Sequence, residues 1–308
     1  MTGNTKTLII ITIVITIASK TRVGIATQTL RVPPHLFFVG SAIFHYLGPS
    51  FAVLLFPAVG VLGVAWLRIA SAALVFAPIT RPWRLFPRID SRDRWLIVAL
   101  GACLALMNCS FYLALARLPI SLVAAIEFVG SIALALYGLR TSRNFAALAF
   151  TVGGVFMLIG LRWASDVTGL LWAALNGVLF VLYVVLGHRI ANKAGASGIE
   201  RLGSAMAVAF IVVFPIGILQ AAHAFSRPLL LLAGIGVGIC SSVIPYVCDQ
   251  LAMARLSRAT FALMLALLPA CATIIGALVL RQIPSVHDVL GIALVMGGVA
   301  IHQPPRNV

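Results

Sequence analysis

Leu113-Ala-Leu-Ala-Arg-Leu118 returns as Leu251-Ala-Met-Ala-Arg-Leu256, 138 positions later. Each copy closes a long apolar run, the third such run of its half of the chain. Further along, Val152-Gly-Gly-Val155 is echoed by Met296-Gly-Gly-Val299, inside the last apolar run of each half. Repetition inside apolar runs points to a duplicated membrane protein. With five spans per half, an odd number, the second copy enters the bilayer upside down relative to the first. Inverted halves are the usual plan of secondary transporters, because two related units can rock about a site between them.

Composition agrees with that reading. Of the 308 residues, 62% are hydrophobic and only 9% charged, with a mean hydropathy of +1.11. A soluble chain carries about 25% charged residues, and folding around one core does not account for the deficit. A bilayer does, since a spanning helix needs roughly 20 apolar residues. The net charge of +15 lies in short connections between apolar runs, with no basic face interleaved with aromatics, so no nucleic acid is expected as a partner. Cys103, Cys109, Cys240, Cys248 and Cys271 all fall in predicted spans without the paired spacing of a metal site, and read as small buried hydrophobes. No metal or other cofactor is expected.

The fold class predicted is an all-α integral membrane protein, ten transmembrane helices in two inverted five-helix repeats. Spans are predicted at 36–56, 61–79, 95–116, 119–139 and 144–161, then at 168–187, 202–222, 228–252, 257–280 and 286–302. Pro57, Arg81-Pro82, Pro87, Arg117-Leu-Pro119, Arg227-Pro228 and Pro284 punctuate the breaks. The domains are a leader at 1–35, a first unit at 36–161, a second at 168–302 and a tail at 303–308. With the amino terminus in the cytoplasm, 17 of the 22 Lys and Arg residues lie on the cytoplasmic side and four opposite, with Arg68 inside a span. That bias orients the chain in the membrane with both termini cytoplasmic. Leu8 to Ala18 is too short to span and lacks the flanks of a signal peptide, so the leader reads as cytoplasmic or interfacial.

Polar groups inside the spans carry the functional reading. Glu127 is eight residues into the fourth span, about 12 Å from its end and near midplane. A carboxylate there needs a partner, a hydrated cavity or a proton, and intramembrane acids default to function. Arg68, in Ala65-Trp-Leu-Arg68, has three uses open to it: pairing with Glu127, holding a substrate carboxylate, or snorkelling to headgroups. Asn108 and Tyr112, at i and i+4, share one face of the third span. Tyr183 and Tyr246 offer aromatic walls with hydroxyl handles, or ordinary packing. Asp249 is a second protonatable group or a solvated helix end. Gly234-Ile-Gly-Val-Gly238 and Gly297-Gly298 read as close helix contacts, not phosphate loops. There is no Walker loop, His-Glu-x-x-His or Gly-x-Ser-x-Gly, so an enzyme is not expected.

Met107-Asn-Cys-Ser-Phe-Tyr112, Arg117-Leu-Pro119 and Ala125-Ile-Glu-Phe-Val-Gly130 together resemble the first half of the threonine/homoserine exporters. These belong to the drug/metabolite transporter superfamily, whose duplicated unit is the EamA domain. Leu55-Phe-Pro57, Arg68 and Arg81-Pro-Trp-Arg84 are similar to the same group, as are Pro245-Tyr246, Asp249, Ala252, Arg255-Leu256 and Pro269. The likeness spans residues 36–302. It implies two inverted five-helix units around a central cavity, and export driven by proton exchange. It also implies a substrate-path role for Asn108, Tyr112, Glu127, Tyr246 and Asp249. Two positions depart from the family pattern: Leu268 stands where an acid often precedes the ninth-span proline, and Leu280-Arg-Gln282 where Gly-Glu is common. The expected function is proton-coupled export of small amino acids or related polar metabolites, with membrane lipid, the substrate and protons as partners. A passive facilitator or channel, and a structural membrane protein without transport, are the alternatives.

Overall fold

The structure, a computed structural model, describes residues 33–138, 140–159, 166–191, 198–253, 264 and 267–301. The predicted leader up to residue 32, the tail at 303–308 and most of the first half of the predicted ninth span fall outside the described residues. Among the described residues all regular structure is helical.

Helix α1 (Pro34–Val59) starts with a proline whose missing N–H would have been unsatisfied there anyway, and runs on through Pro49 and Pro57. It ends at Gly60, whose φ of +82° only glycine adopts freely and whose N–H donates to the Phe56 carbonyl. Helix α2 (Val61–Thr80) follows at once and stops at Arg81, itself left-handed. A short turn, Pro82–Leu85, leads to α3 (Ser91–Leu115). α3 begins four residues before the apolar run, because Asp90 accepts a hydrogen bond from the Asp93 N–H and extends the helix through a charged turn. Then come α4 (Ile120–Gly138), α5 (Ser142–Ile159), α6 (Val167–Ala191) and α7 (Gly198–Phe225). Helix α8 (Pro228–Gly238) passes through a π-turn (Ile239–Val243) into α9 (Ile244–Met253). α10 (Leu268–Leu280) and α11 (Val286–Ile301) complete the described chain.

Among the described residues, six helical stretches are long and apolar enough to cross a membrane: α1, α2, α3, α6, α7 and the α8–α9 rod. Apolar stretches of α4 and α5, together with α10 and α11, form shorter helices. Leu74, Leu219, Leu229 and Leu278 point outward. In water such an apolar surface invites aggregation, whereas in lipid it is the natural exterior.

Since lipid is as apolar as leucine, helices in a bilayer associate through close approach of small residues. α5 packs on α11 that way: a Cβ on Gly154 would lie 2.5 Å from the Gly291 carbonyl, and one on Gly298 would lie 2.7 Å from that of Ala147. Moving forward along α5 means moving backward along α11, so the two run antiparallel. α2 and α7 do the same, with Gly63 against Ala221, Gly217 against Trp66 and Gly203 against Thr80. Around these two pairs, α3 packs on α6 and the α8–α9 rod on α1; α7 also packs on α3, and α8 on α2. α6 lies on α4, and α10 on both α1 and α4.

Helix ends are tied across the chain. The Gln220 Oε1 accepts from the Leu62 and Gly63 N–H groups at 3.0 and 3.1 Å, and the Gln282 Oε1 from Ile120 N–H at 3.2 Å. These side chains satisfy N-terminal amides that an α-helix leaves unbonded. Arg117 and Asp166 form an exposed ion pair at 3.3 Å.

Candidate functional site

Arg68, on α2, is 6% exposed and points into the bundle. Its Nε donates to the Ser242 Oγ and its Nη2 to the Ser241 carbonyl, both at 3.1 Å. Both acceptors belong to the π-turn between α8 and α9. A π-turn interrupts the regular ladder of backbone hydrogen bonds, which is why it so often accompanies a functional group. The helices meet here because Gly238 has no side chain: a Cβ there would collide with the Ser71 Oγ and lie 2.7 Å from the Arg68 carbonyl. The Arg68 guanidinium also sits 5.4 Å from the centre of the Tyr112 ring, on α3. Tyr112 is fully buried, and its hydroxyl lies toward Arg68 and Ser241 without completing a hydrogen bond among the described residues.

Glu127, on α4, is 8% exposed. α6 presses close beside it through glycines: a Cβ on Gly177 would stand 3.9 Å from the Glu127 Cα, and one on Gly130 would stand 3.2 Å from the Gly177 carbonyl. Asn176 therefore faces the Glu127 carboxyl. Tyr46 on α1 is within electrostatic reach of Glu127, and the neighbouring His45 of Arg68. Arg68 and Glu127 act on each other electrostatically but form no ion pair among the described residues. The result is a buried guanidinium and a buried carboxyl with no ion pair between them among the described residues, joined by hydroxyls and an amide between helices α1, α2, α3, α4, α6 and the π-turn.

Of the residues singled out in the sequence, Arg68, Tyr112 and Glu127 come together here. Burial rules out snorkelling for Arg68. Asn108 is buried one turn before Tyr112, but its Nδ2 donates to the Leu104 carbonyl of its own helix at 2.7 Å. Tyr183 is partly buried, with its ring 6.0 Å from that of Phe180, and Tyr246 is partly buried against the core. The backbone of Asp249 lies in α9, and its side chain is outside the described residues. Gly234 and Gly238 meet Leu67 and Ser71, and Gly298 meets Thr151, as close contacts between helices.

Comparison with known proteins supplies the family. The chain is 32% identical over 238 residues to the threonine/homoserine exporter RhtA of Escherichia coli (strain K12), a match covering 76% of this chain and 79% of that one. The chain belongs to the EamA-like transporter family. The model of that family matches residues 167–302 of this transporter. The threonine/homoserine exporter RhtA of Salmonella typhimurium (strain LT2) is likewise 32% identical, over the same shares of both chains. One solved crystal structure has the same fold, with a TM-score of 0.54 at 20% identity over 85% of this chain and 95% of the other. The transporter is thus a multi-pass membrane protein.

Sequence reasoning missed His45, Tyr46, Asn176, Ser241 and Ser242. Each is a polar residue within an apolar run, the same signal that marked Glu127, but without a charge to single it out.

Proposed function

We propose that this chain is a proton-coupled exporter of small amino acids of the threonine and homoserine kind, or of related polar metabolites, in a bacterial inner membrane. One observation carries the reading: the Arg68 guanidinium and the Glu127 carboxyl are both buried in one polar cluster, with no ion pair between them among the described residues. Burying an ion without a close counter-charge costs several kcal/mol. A zwitterion supplies both partners at once. Its carboxylate suits the planar guanidinium fork, and its ammonium suits Glu127. A proton on Glu127 replaces the ammonium on the return step, so substrate and proton compete for one carboxylate.

The architecture proposed is ten spans in two inverted units, 36–161 and 168–302, with both termini cytoplasmic. The packing supports it. Exchanging each helix for its counterpart in the other half turns α3 on α6 into the α8–α9 rod on α1, and α6 on α4 into α1 on α10; both members of each exchange occur. The counterparts α2 and α7, and α5 and α11, run antiparallel, as inversion requires. Gly154 on Gly291 and Gly298 on Ala147 are themselves an exchanged pair.

The test is uptake and efflux of a labelled metabolite panel by proteoliposomes, with and without an imposed pH gradient. Threonine or homoserine should move against its gradient only when the pH gradient is present. Movement of an uncharged or purely anionic metabolite, with no amino acid transported, would refute the zwitterion reading.

A further inference from the structure

The polar group in the cluster that remains unused is Asn176. It is 1% exposed, and among the described residues neither its Nδ2 nor its Oδ1 completes a hydrogen bond, although the amide lies close enough to act on the Glu127 carboxyl. A buried amide left unpaired is destabilising, commonly by enough to be selected against unless something completes it. Its position is fixed by backbone, since the adjacent Gly177 brings α6 against Ile126 and Glu127 and leaves little freedom for α6 to turn away. The ionisable group that the amide acts on is the Glu127 carboxyl.

From this we infer that Asn176 is a substrate-binding residue, the second ligand of the ammonium group that Glu127 takes. This rests on the zwitterion reading above. An ammonium has three donors and no acceptor, so one carboxylate oxygen leaves it under-satisfied in a site without bulk water. The Asn176 Oδ1 accepts a second ammonium N–H, while Nδ2 turns to the Glu127 carboxylate as a donor. The same amide serves the unloaded state. When Glu127 carries a proton instead, its O–H donates to Oδ1. Asparagine both donates and accepts, so it complements Glu127 in either protonation state, which a leucine or a second carboxylate does not. Tyr112 stands in the matching place beside Arg68, its hydroxyl completing no hydrogen bond among the described residues and lying toward the end that takes the substrate carboxylate.

The experiment is labelled threonine efflux from proteoliposomes containing the full chain, for the wild type and for Asn176→Leu, Asn176→Ala and Asn176→Asp. Melting in detergent is recorded for each protein. Removing a hydrogen bond to a charged group should raise the half-saturating threonine concentration roughly 10- to 100-fold in Asn176→Leu and Asn176→Ala. The rate at saturating substrate should fall far less. Asn176→Asp keeps an acceptor for the ammonium and should recover affinity to within about threefold, while shifting the pH profile of efflux by adding a titratable neighbour to Glu127. If Asn176→Leu does not fold, Asn176→Ala carries the comparison. A wild-type half-saturation in Asn176→Ala overturns the inference, as does an Asn176→Asp protein as weak as Asn176→Ala. A wild type that transports no amino acid, but does transport an amine-free metabolite, refutes the zwitterion reading instead, and this inference with it.

Discussion

Replacing Arg68 by lysine keeps the charge and removes the fork. The guanidinium makes two hydrogen bonds at 3.1 Å, to Ser242 and Ser241, and its carbon lies 5.4 Å from the Tyr112 ring centre. Those contacts fix its plane, and a fixed plane is what offers two parallel N–H groups to a carboxylate. A lysine ammonium still balances Glu127 but presents one point of contact, so the substrate loses one charge-assisted hydrogen bond. That bond is worth about 1.5–3 kcal/mol, and at 1.4 kcal/mol per factor of ten the half-saturating concentration should rise roughly 10- to 150-fold. The rate at saturation should change little, because charge balance across the site survives. Arg68→Met should bind still more weakly, since it also leaves Glu127 without its counter-charge. The assay is threonine efflux from proteoliposomes over a range of internal concentrations, with melting recorded to separate folding from binding. If Arg68→Lys and Arg68→Met both keep half-saturation within threefold of wild type, Arg68 does not read the substrate carboxylate.

Glu127→Gln should insert and fold normally yet lose accumulation driven by a pH gradient. One-for-one proton exchange is expected to give the wild type about tenfold accumulation per pH unit, the equivalent of 1.36 kcal/mol, and a full response in the variant would make Glu127 structural. Gly154→Ala should lower the melting temperature, because the new methyl meets the Gly291 carbonyl and overpacking costs about 1–3 kcal/mol. The adjacent Gly153→Ala has nothing within 4 Å of its new methyl and should be neutral; equal melting of the two proteins would contradict the α5–α11 packing. In a cysteine-free background, a cysteine replacing Ser91 should react only from the cytoplasm and one replacing Ser226 only from outside. External labelling at Ser91 would sink the orientation.

The described helices follow the apolar runs because such runs leave the chain no other way to satisfy its backbone in lipid. Boundaries were legible where arginine cut a run, as at Arg81 and Arg227, whereas α1 runs through Pro57 and ends at Gly60. They were illegible where a polar turn extends a helix beyond the apolar stretch. Ser91-Arg-Asp-Arg-Trp95 is helical through the Asp90 cap, and Gly198-Ile-Glu-Arg201 begins α7 four residues before its apolar run, with the Arg201 side chain buried. In the site, charge was the visible signal, so Glu127 and Arg68 stood out. Asn176, His45 and Tyr46 look like ordinary tolerated polar residues until α4 and α2 are brought beside them, which no local pattern encodes. The π-turn was hidden for the same reason, since Ile239-Cys-Ser-Ser-Val243 reads as an uninterrupted helix and only its bond to Arg68 gives it a purpose.

That turn also sets which way α9 faces. An α-helix advances about 100° per residue, so a turn that absorbs one extra residue rewinds everything after it by about that angle. In effect the rod carries a single-residue insertion, and the residues before and after it keep separate registers: Gly234 and Gly238 stay against α2, while the Pro245 carbonyl meets the Ser41 Oγ on α1. Deleting one residue between Ile239 and Val243 would let the rod run as an unbroken α-helix with α9 still facing α1, because the turn already takes up that residue. Regularising the turn without a deletion would instead rotate α9 by about 100° about its axis. Gaining or losing that one residue therefore makes or removes the turn that meets Arg68 while leaving the packing of α9 on α1 in place.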